Sequence, residues 1–542
     1  MVSESSSLSS RRRFIKTGMA GLFLPVLAPS LSSSFDLSVT IPNQRDFSVC
    51  LTADAVLDNP ALLKLVAAAG VNRVWLATYF YGYWPWDKEK IKRARKAILD
   101  SGIEASAITL PFGHPGDSLN SKDEKFPLIS PETWARSEDI DGKRYAGTTV
   151  SDLANKENAI ALKELKDFGF PLCILDDDFR IARAPGTIGG NFDDVNRLLF
   201  IKKGGYASGS WTQLTEDIKS RLLSPLLRAW VNWQCDQMTE SFRVQQKGFG
   251  SGLGFMAMYL CAEKGGIRFS DYKDIPIRVG EAHFSDNALV RPKGWTDELF
   301  SVLFHRRFIA PEYAWSETTA FPADAASAET MAAKLTISTI ADVRHTTFMS
   351  GLVSLPDTYW STLGPAMAKQ KELHGAVAGH KLKGPFKHYW GEMSRFVGRD
   401  QPFSLWLALG VPFEVIGDLN RSRDGWVFVS NEDCAEISNH HQLDHLVARP
   451  DAVLKNNIQI PRQHEDLTAL WKWRQTILGD LQASKIPYVM QESPCVCAWY
   501  PGAQCVIVWN LSEKPQSLDL QYNGEIYSET FGPLGSLKIN LK

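Results

Sequence analysis

From residue 46 to residue 353 the chain alternates short apolar runs with helical stretches, and this rhythm limits the fold more than any other feature. Phe47 to Leu51, Val74 to Ala77 and Ile103 to Leu110 predict three strands. Pro60 to Ala69 and Lys88 to Asp100 have the composition of helices between them, and Gly70 and Gly102 stand where a helix ends and a buried strand begins. Strands separated by helices in this way form parallel sheets. Further strands are predicted at Leu172 to Leu175, Gly254 to Tyr259, Ile275 to Val279, Tyr313 to Trp315 and Thr346 to Val353. Eight runs over roughly 310 residues give about 39 residues per unit, which suits an eight-stranded barrel with loop insertions. Pro111 to Phe168 is one such insertion. A doubly wound open sheet is the alternative, but no Gly-rich phosphate fingerprint follows an early strand. The expected fold is therefore an α/β (β/α)8 TIM barrel over residues 40–398.

The chain has 542 residues, too many for that barrel alone. Pro365 to His380 and Phe386 to Phe396 read as helical text closing the barrel. Leu405 to Pro412, Trp426 to Val429 and the stretch from Leu446 read as a small α/β domain over residues 399–484. From Tyr488 onward there is alternation without helical period, with a turn signal at Asn523-Gly524, so residues 485–542 read as a small all-β domain. With 44% hydrophobic and 22% charged residues the chain can bury a large core, and a net charge of −2 gives no electrostatic footprint for nucleic acid or a membrane surface.

Residues 1–34 read as an address. Ser10-Arg11-Arg12-Arg13-Phe14-Ile15-Lys16 precedes a short apolar stretch from Met19 to Leu27, broken by Pro25 and followed by small residues. The stretch is too short to span a bilayer, and the paired arginines resemble a twin-arginine signal. The expectation is a folded protein exported to the periplasm, with the twin-arginine translocase as a transient partner and no stable membrane insertion afterwards. Folding in the reducing cytosol disfavours disulfides, so the eight cysteines are expected to be small apolar packing residues. No C-x-x-C pair or His at ligand spacing points to structural zinc, and neither a metal nor a cofactor is expected.

In a barrel, chemistry gathers at the C-terminal ends of the strands. Those ends are rich in acid here: Asp176-Asp177-Asp178-Phe179-Arg180 after the fourth strand, Glu281-Ala282-His283 after the sixth, and Glu317 at the end of the seventh beside Trp315. His114 follows the third. Three adjacent carboxylates repel one another and require a compensating Arg, hydrogen bonds, a metal or a raised pKa. Arg180 lies two residues beyond Asp178, on the same face if the strand continues. A carboxylate from the triplet and Glu317, facing one pocket, are the two groups that cleave a glycosidic bond: one protonates the leaving oxygen while the other attacks or activates water. The run Tyr79 to Trp86 offers ring faces on which sugars stack. Asp177, Glu281, His283 and Glu317 could instead hold a hard cation, as in a metal-dependent sugar isomerase or epimerase.

A barrel with acid at the fourth strand end and Glu at the seventh resembles the retaining glycoside hydrolases of clan A. The text from Gly410-Val411-Pro412-Phe413 to Trp426-Val427-Phe428-Val429-Ser430, and Trp509-Asn510-Leu511-Ser512, is similar to the second and third domains of the family 42 β-galactosidases. That resemblance implies a retaining hydrolase of terminal sugars, with a carbohydrate as partner and a homo-oligomer, often a trimer; with the N-terminal address it gives an exported one. It implies Glu317 as nucleophile and Arg180 as its electrostatic support or as a sugar ligand. Clan A enzymes usually carry Asn-Glu at the fourth strand; here the text is Asp-Asp-Asp, so Asp178, then Asp177, is the expected acid/base. Asp176, Tyr81, Trp84, His114, Glu281, His283 and Trp315 complete the expected substrate site. The departure also motivates a third reading, a non-catalytic carbohydrate-binding relative.

Overall fold

All eight predicted runs are strands, and they close on themselves. The structure is a computed structural model, and it describes residues 45–112, 130–176, 179–419, 425–435, 437, 445–454, 460–480 and 485–542. The barrel strands are β1 (Asp46–Leu51), β2 (Arg73–Phe80), β3 (Glu104–Leu110), β4 (Cys173–Leu175), β5 (Leu253–Ala257), β6 (Ile277–Val279), β7 (Ala314–Thr319) and β8 (His345–Met349). Each pairs in parallel with its sequence neighbours, and β1 pairs with β8 to close the ring. All six residues of β1 are buried, as expected of a strand covered on one side by the barrel interior and on the other by helices. Gly70 caps the helix Pro60–Ala69 at φ 109°, a left-handed conformation that glycine adopts without steric cost, and so turns the chain into β2.

Inward-facing side chains fill the barrel rather than leaving a pore. The interior is unusually polar toward its base: Trp75 Nε1 donates to Ser48 Oγ at 3.0 Å, Arg73 Nη1 to Ser106 Oγ at 2.8 Å, and His345 Nδ1 meets Asp46 Oδ1 at 2.5 Å. The expected insertion after β3 carries the hairpin Arg136–Glu138/Arg144–Thr148 and the helix Asp152–Asp167. A second insertion, not anticipated, lies between β4 and β5 and holds the helices Asp194–Gly204, Ser210–Ser220 and Pro225–Phe249. These helices bury their own aromatic cluster around Trp230, with Phe192, Phe200, Trp211 and Trp233.

The text read as helical from Phe386 to Phe396 is corrected by the structure: Phe386–Tyr389 is a strand and only Glu392–Val397 is helix. That strand lies inside a four-stranded parallel sheet ordered 413–416, 386–389, 426–429, 446–447, so the small α/β module begins before the expected boundary at 399. A four-residue strand between polar and aromatic neighbours has too little period to be told from a helical turn. The C-terminal segment forms two three-stranded antiparallel sheets whose inner faces share a core that includes Cys495, Cys497 and Val508. This module is tied to the barrel's helices by Tyr500 Oη donating to Ile340 O at 2.7 Å and by an edge-to-face pair of Trp295 and Trp509 at 5.4 Å. All eight cysteines are buried. Among the described residues, no helix is long and apolar enough to cross a membrane.

Candidate functional site

The chemistry at the barrel mouth is organised by an arginine from the middle of β6. In Ile277-Arg278-Val279 the alternation sends Ile277 and Val279 to the helix layer and Arg278 inward. Arg278 pairs in register with Trp315, which places Glu317 one inward position nearer the mouth on the adjacent strand. Asp176 follows the last residue of β4, two strands away on the other side. A side chain from β6 can meet one from β4 only across the barrel interior, and it does: Arg278 Nη2 pairs with Asp176 Oδ1, while its Nε lies 3.0 Å from Glu317 Oε2. Side-chain exposures are 2% for Arg278 and 4% for each carboxylate, so one guanidinium neutralises part of two negative charges in a nearly dry site. The contact with Glu317 is ionic, without an aligned hydrogen bond from Nε. Met256 Sδ packs at 3.4 Å from the same guanidinium. Cys50 of β1 adjoins the group, and burial first, then Glu317, pushes its thiol up to about 12 despite Arg278.

Of the residues predicted from sequence, this geometry brings Asp176 and Glu317 together. Asp177, Asp178 and His114 lie outside the described residues. Arg180, buried, donates from Nη1 to Ala182 O at 2.7 Å and to Arg183 O at 3.0 Å; the guanidinium seated on Glu317 is that of Arg278. Sequence reasoning missed Arg278, although its signal was present: a single cation inside the apolar run Ile275 to Val279 must find a partner when buried.

Glu281 is spent on structure rather than on the mouth, and the same network holds the backbone of the half-buried His283. Glu281 pairs with Lys334 of the helix Ala328–Ile340 and accepts the backbone N–H of Thr319 at 3.1 Å. Lys334 also donates to His283 O at 2.8 Å, and Glu298 accepts the N–H groups of Ala282 and His283 at 2.9 and 2.7 Å. The three side chains pin the end of β6 to the end of β7. Burial pushes Glu281 well above the ordinary carboxylate range; Lys334 opposes this, and Glu298 and Glu317 add to it. Among the described residues, no group of three or more His, Cys, Asp or Glu has the arrangement to hold a metal ion.

The aromatic residues expected at the mouth have other duties. Tyr81 is 1% exposed and meets Tyr83 edge-to-face at 6.2 Å. Trp84, partly buried, packs against Tyr79 at 5.2 Å and Phe168 at 6.1 Å, with Lys88 Nζ 5.0 Å from its ring centre, so much of its ring is taken up by these neighbours. Trp315, buried, stacks on His345 at 4.1 Å and meets Trp75 edge-to-face at 5.1 Å, below Glu317 in the barrel. Large rings gain more by burial than by waiting for a ligand, and a dense aromatic run has several ways to bury them.

No family model and no curated protein matches the sequence. Solved structures do share the fold. A cold-adapted β-galactosidase from Rahnella sp. R3 superposes with a TM-score of 0.56 at 9% identity, over 92% of this chain and 98% of that one. A catalytic mutant of Gan42B, a GH42 β-galactosidase from G. stearothermophilus, gives 0.57 at 11% identity, over 92% and 98%. An α-L-fucosidase isoenzyme 2 from Paenibacillus thiaminolyticus gives 0.53 at 9% identity, over 88% and 92%. The chain therefore has the fold of the GH42 β-galactosidases across nearly its whole length, smaller modules included.

Proposed function

We propose that the protein is a glycoside hydrolase that removes terminal sugars, with Glu317 as nucleophile and an acid/base supplied by Asp178 or, failing it, Asp177. The observation that carries this reading is the placement of Glu317 inside the mouth at the end of β7, held against Arg278 together with Asp176 from the end of β4. The shared fold supports the substrate class, because the similar structures are named as β-galactosidases and a fucosidase.

In the proposed reaction a Glu317 carboxylate oxygen attacks the anomeric carbon as the bond to the leaving oxygen breaks. The acid/base gives its proton to that oxygen, then takes one from the water that releases the sugar from Glu317. Two displacements return the original anomeric configuration. The chain is also proposed to act in the periplasm after export by the twin-arginine route, on the strength of Arg11 and Arg12 ahead of the apolar segment.

Glu317→Gln and Asp178→Asn are each expected to lower turnover of aryl glycosides by several orders of magnitude while leaving the circular dichroism spectrum unchanged. Full activity in Glu317→Gln removes that residue from the mechanism. Tight glycan binding by the wild type, with no turnover across a broad glycoside panel, would instead make the chain a carbohydrate-binding protein.

A further inference from the structure

A cleft of about 1060 Å³ opens at the N-terminal end of the barrel, where the barrel meets both smaller modules. Its walls come from the turns after the helices Pro292–His305 and Ala328–Ile340, which lead into the N-terminal ends of β7 and β8. Residues 379–385, the edge strand Phe413–Ile416 and Trp499 complete them. Glu317 lies toward the other end of β7. Resting on the hydrolase reading above for the kind of ligand, we propose that this cleft is a second saccharide site. It binds an acid-bearing sugar chain, with the anionic group on Arg306, Arg307 and Lys381 and a sugar ring against Trp499.

The argument begins with charge. Five Lys and Arg side chains line the cleft against three Asp and Glu, in a chain whose net charge is −2. The two arginines matter most. Arg306 donates from Nε to Ala341 O at 3.0 Å and from Nη1 to Ile309 O. Arg307 donates from Nη1 to Trp390 O at 2.9 Å and to Ile416 O at 3.1 Å, and lies 5.5 and 5.1 Å from the ring centres of Phe304 and Phe308. Carbonyls and rings solvate a guanidinium but leave its unit charge in place. Among the described residues no carboxylate forms an ion pair with either one. Asp342, which acts on Arg306, is held by His374 at 2.9 Å and by the N–H of Gly379 at 3.1 Å. Asp433, which acts on Arg307, accepts from the N–H of Gly391 and the hydroxyl of Ser394, both at 2.7 Å. Burial first, then Arg395, pulls Arg307 down to about 10, the direction expected of a cation short of negative neighbours. Gly417 leaves the guanidinium its place on the wall, since a Cβ there would fall 1.8 Å from Nη2.

The remaining lining selects the class of anion. Lys383 faces Glu414 at 3.6 Å and Lys387 is buried, so the exposed Lys381 is the lysine that a ligand gains. The N–H of Lys383 donates to Trp499 O at 3.0 Å, which ties this basic segment to the strand Cys495–Tyr500 and sets it beside the partly buried indole. A bare inorganic anion has no use for the ring, and a neutral sugar none for the charge. A sugar that carries a carboxylate or sulfate uses both.

The test uses the full chain with Glu317→Gln, so that saccharide probes stay intact, and isothermal titration calorimetry. The probes are tetragalacturonate, a sulfated galactotetraose, neutral galactotetraose and inorganic phosphate; the first two distinguish carboxylate from sulfate as the acid. One acidic tetrasaccharide is expected to bind at least about tenfold tighter than the neutral one or phosphate, since hydrogen bonds to charged groups carry the difference. That binding is expected to weaken as salt is raised. Arg307→Met and Trp499→Ala are each expected to weaken it about tenfold, and the surface change Lys381→Glu about fivefold. Hydrogen exchange is expected to slow within 379–387 and 413–418 when the probe is bound. Arg307→Met and Lys381→Glu in the otherwise wild-type chain should leave kcat/KM on a small aryl glycoside unchanged. No binding of either acidic probe, equal affinity for the neutral chain, phosphate bound as tightly, or protection at the barrel mouth instead overturns the proposal. Should Arg307→Met fail to fold, an unchanged affinity in Lys381→Glu overturns it. The two ideas fail apart: a wild type that hydrolyses aryl glycosides but binds no acidic sugar defeats this site alone. One that binds at the cleft but turns over no glycoside defeats the hydrolase reading and leaves the site standing.

Discussion

Lys334→Met would strand Glu281 in the layer between barrel and helices, and the structure lets the cost be worked out. The two side chains are 2% and 5% exposed, so neither is screened by water. Removing one partner of a buried ion pair and leaving the other charged costs about 3–5 kcal/mol. Glu281 has a less costly course, which is to bind a proton: burial favours its neutral carboxyl, and in the wild type the Lys334 ammonium opposes this. Keeping a carboxyl of unfolded pKa about 4.5 neutral at pH 7 costs about 3.4 kcal/mol, at about 1.36 kcal/mol for each of about 2.5 units. At pH 5 the same cost is about 0.7 kcal/mol. The sign follows from linkage: the folded variant holds a proton that the unfolded chain releases, so its stability is present below about pH 4.5 and is lost as pH rises.

The expected outcome is therefore a destabilisation of about 3 kcal/mol at pH 7 that shrinks below about 1 kcal/mol at pH 5. Urea unfolding followed by tryptophan fluorescence at both pH values measures it. The first transition is the one to compare, because a chain of several modules need not unfold in two states. Lys334→Met/Glu281→Gln is expected to recover most of the loss at pH 7, since the charge to be neutralised is gone. A shift under about 1 kcal/mol at pH 7, or one of equal size at both pH values, would refute the reasoning and return Glu281 to the list of ligand or catalytic candidates.

Two further outcomes are expected. His305 is fully buried among Phe269 and Phe304 with both ring nitrogens unpartnered, and burial depresses its pKa from 6.5 to about 3. The wild type should thus lose stability as pH falls from about 6.5 toward 3, by up to about 4–5 kcal/mol from this group; His305→Phe should flatten that part of the acid-denaturation curve, and an unchanged curve would count against the depressed pKa. Arg11→Lys/Arg12→Lys should leave the protein in the cytoplasm on fractionation of the producing cells, and undiminished periplasmic recovery would dismiss the twin-arginine route.

Much of the barrel is legible in the sequence because each βα unit writes its own signal. Apolar runs such as Val74 to Ala77, and helix-ending glycines such as Gly70, depend on neighbours a few residues away. The strand Phe386–Tyr389 was not legible, because a four-residue stretch lacks the period that separates strand from helix. Within the site, Glu317 could be found from its place at a strand end. Glu281 stands at a strand end too, yet it serves Lys334, which comes from a helix more than fifty residues later. The rings of Tyr81 and Trp84 read as a sugar platform, but Tyr81 is buried against Tyr83, and Trp84, partly buried, packs on Phe168.

The sequence by itself determined the order of strands and helices, the parallel sheet that such an order forces, and the acidic character of its strand ends. Only the tertiary structure decided which acids share a cation. Asp176 just after β4, Arg278 in β6 and Glu317 in β7 meet although more than a hundred residues separate the first pair. Their meeting depends on the register and closure of the barrel, which set side chains from distant strands on one inward layer. Local pattern shows that a charge is present and which face it is on; only closure shows which other charge it faces.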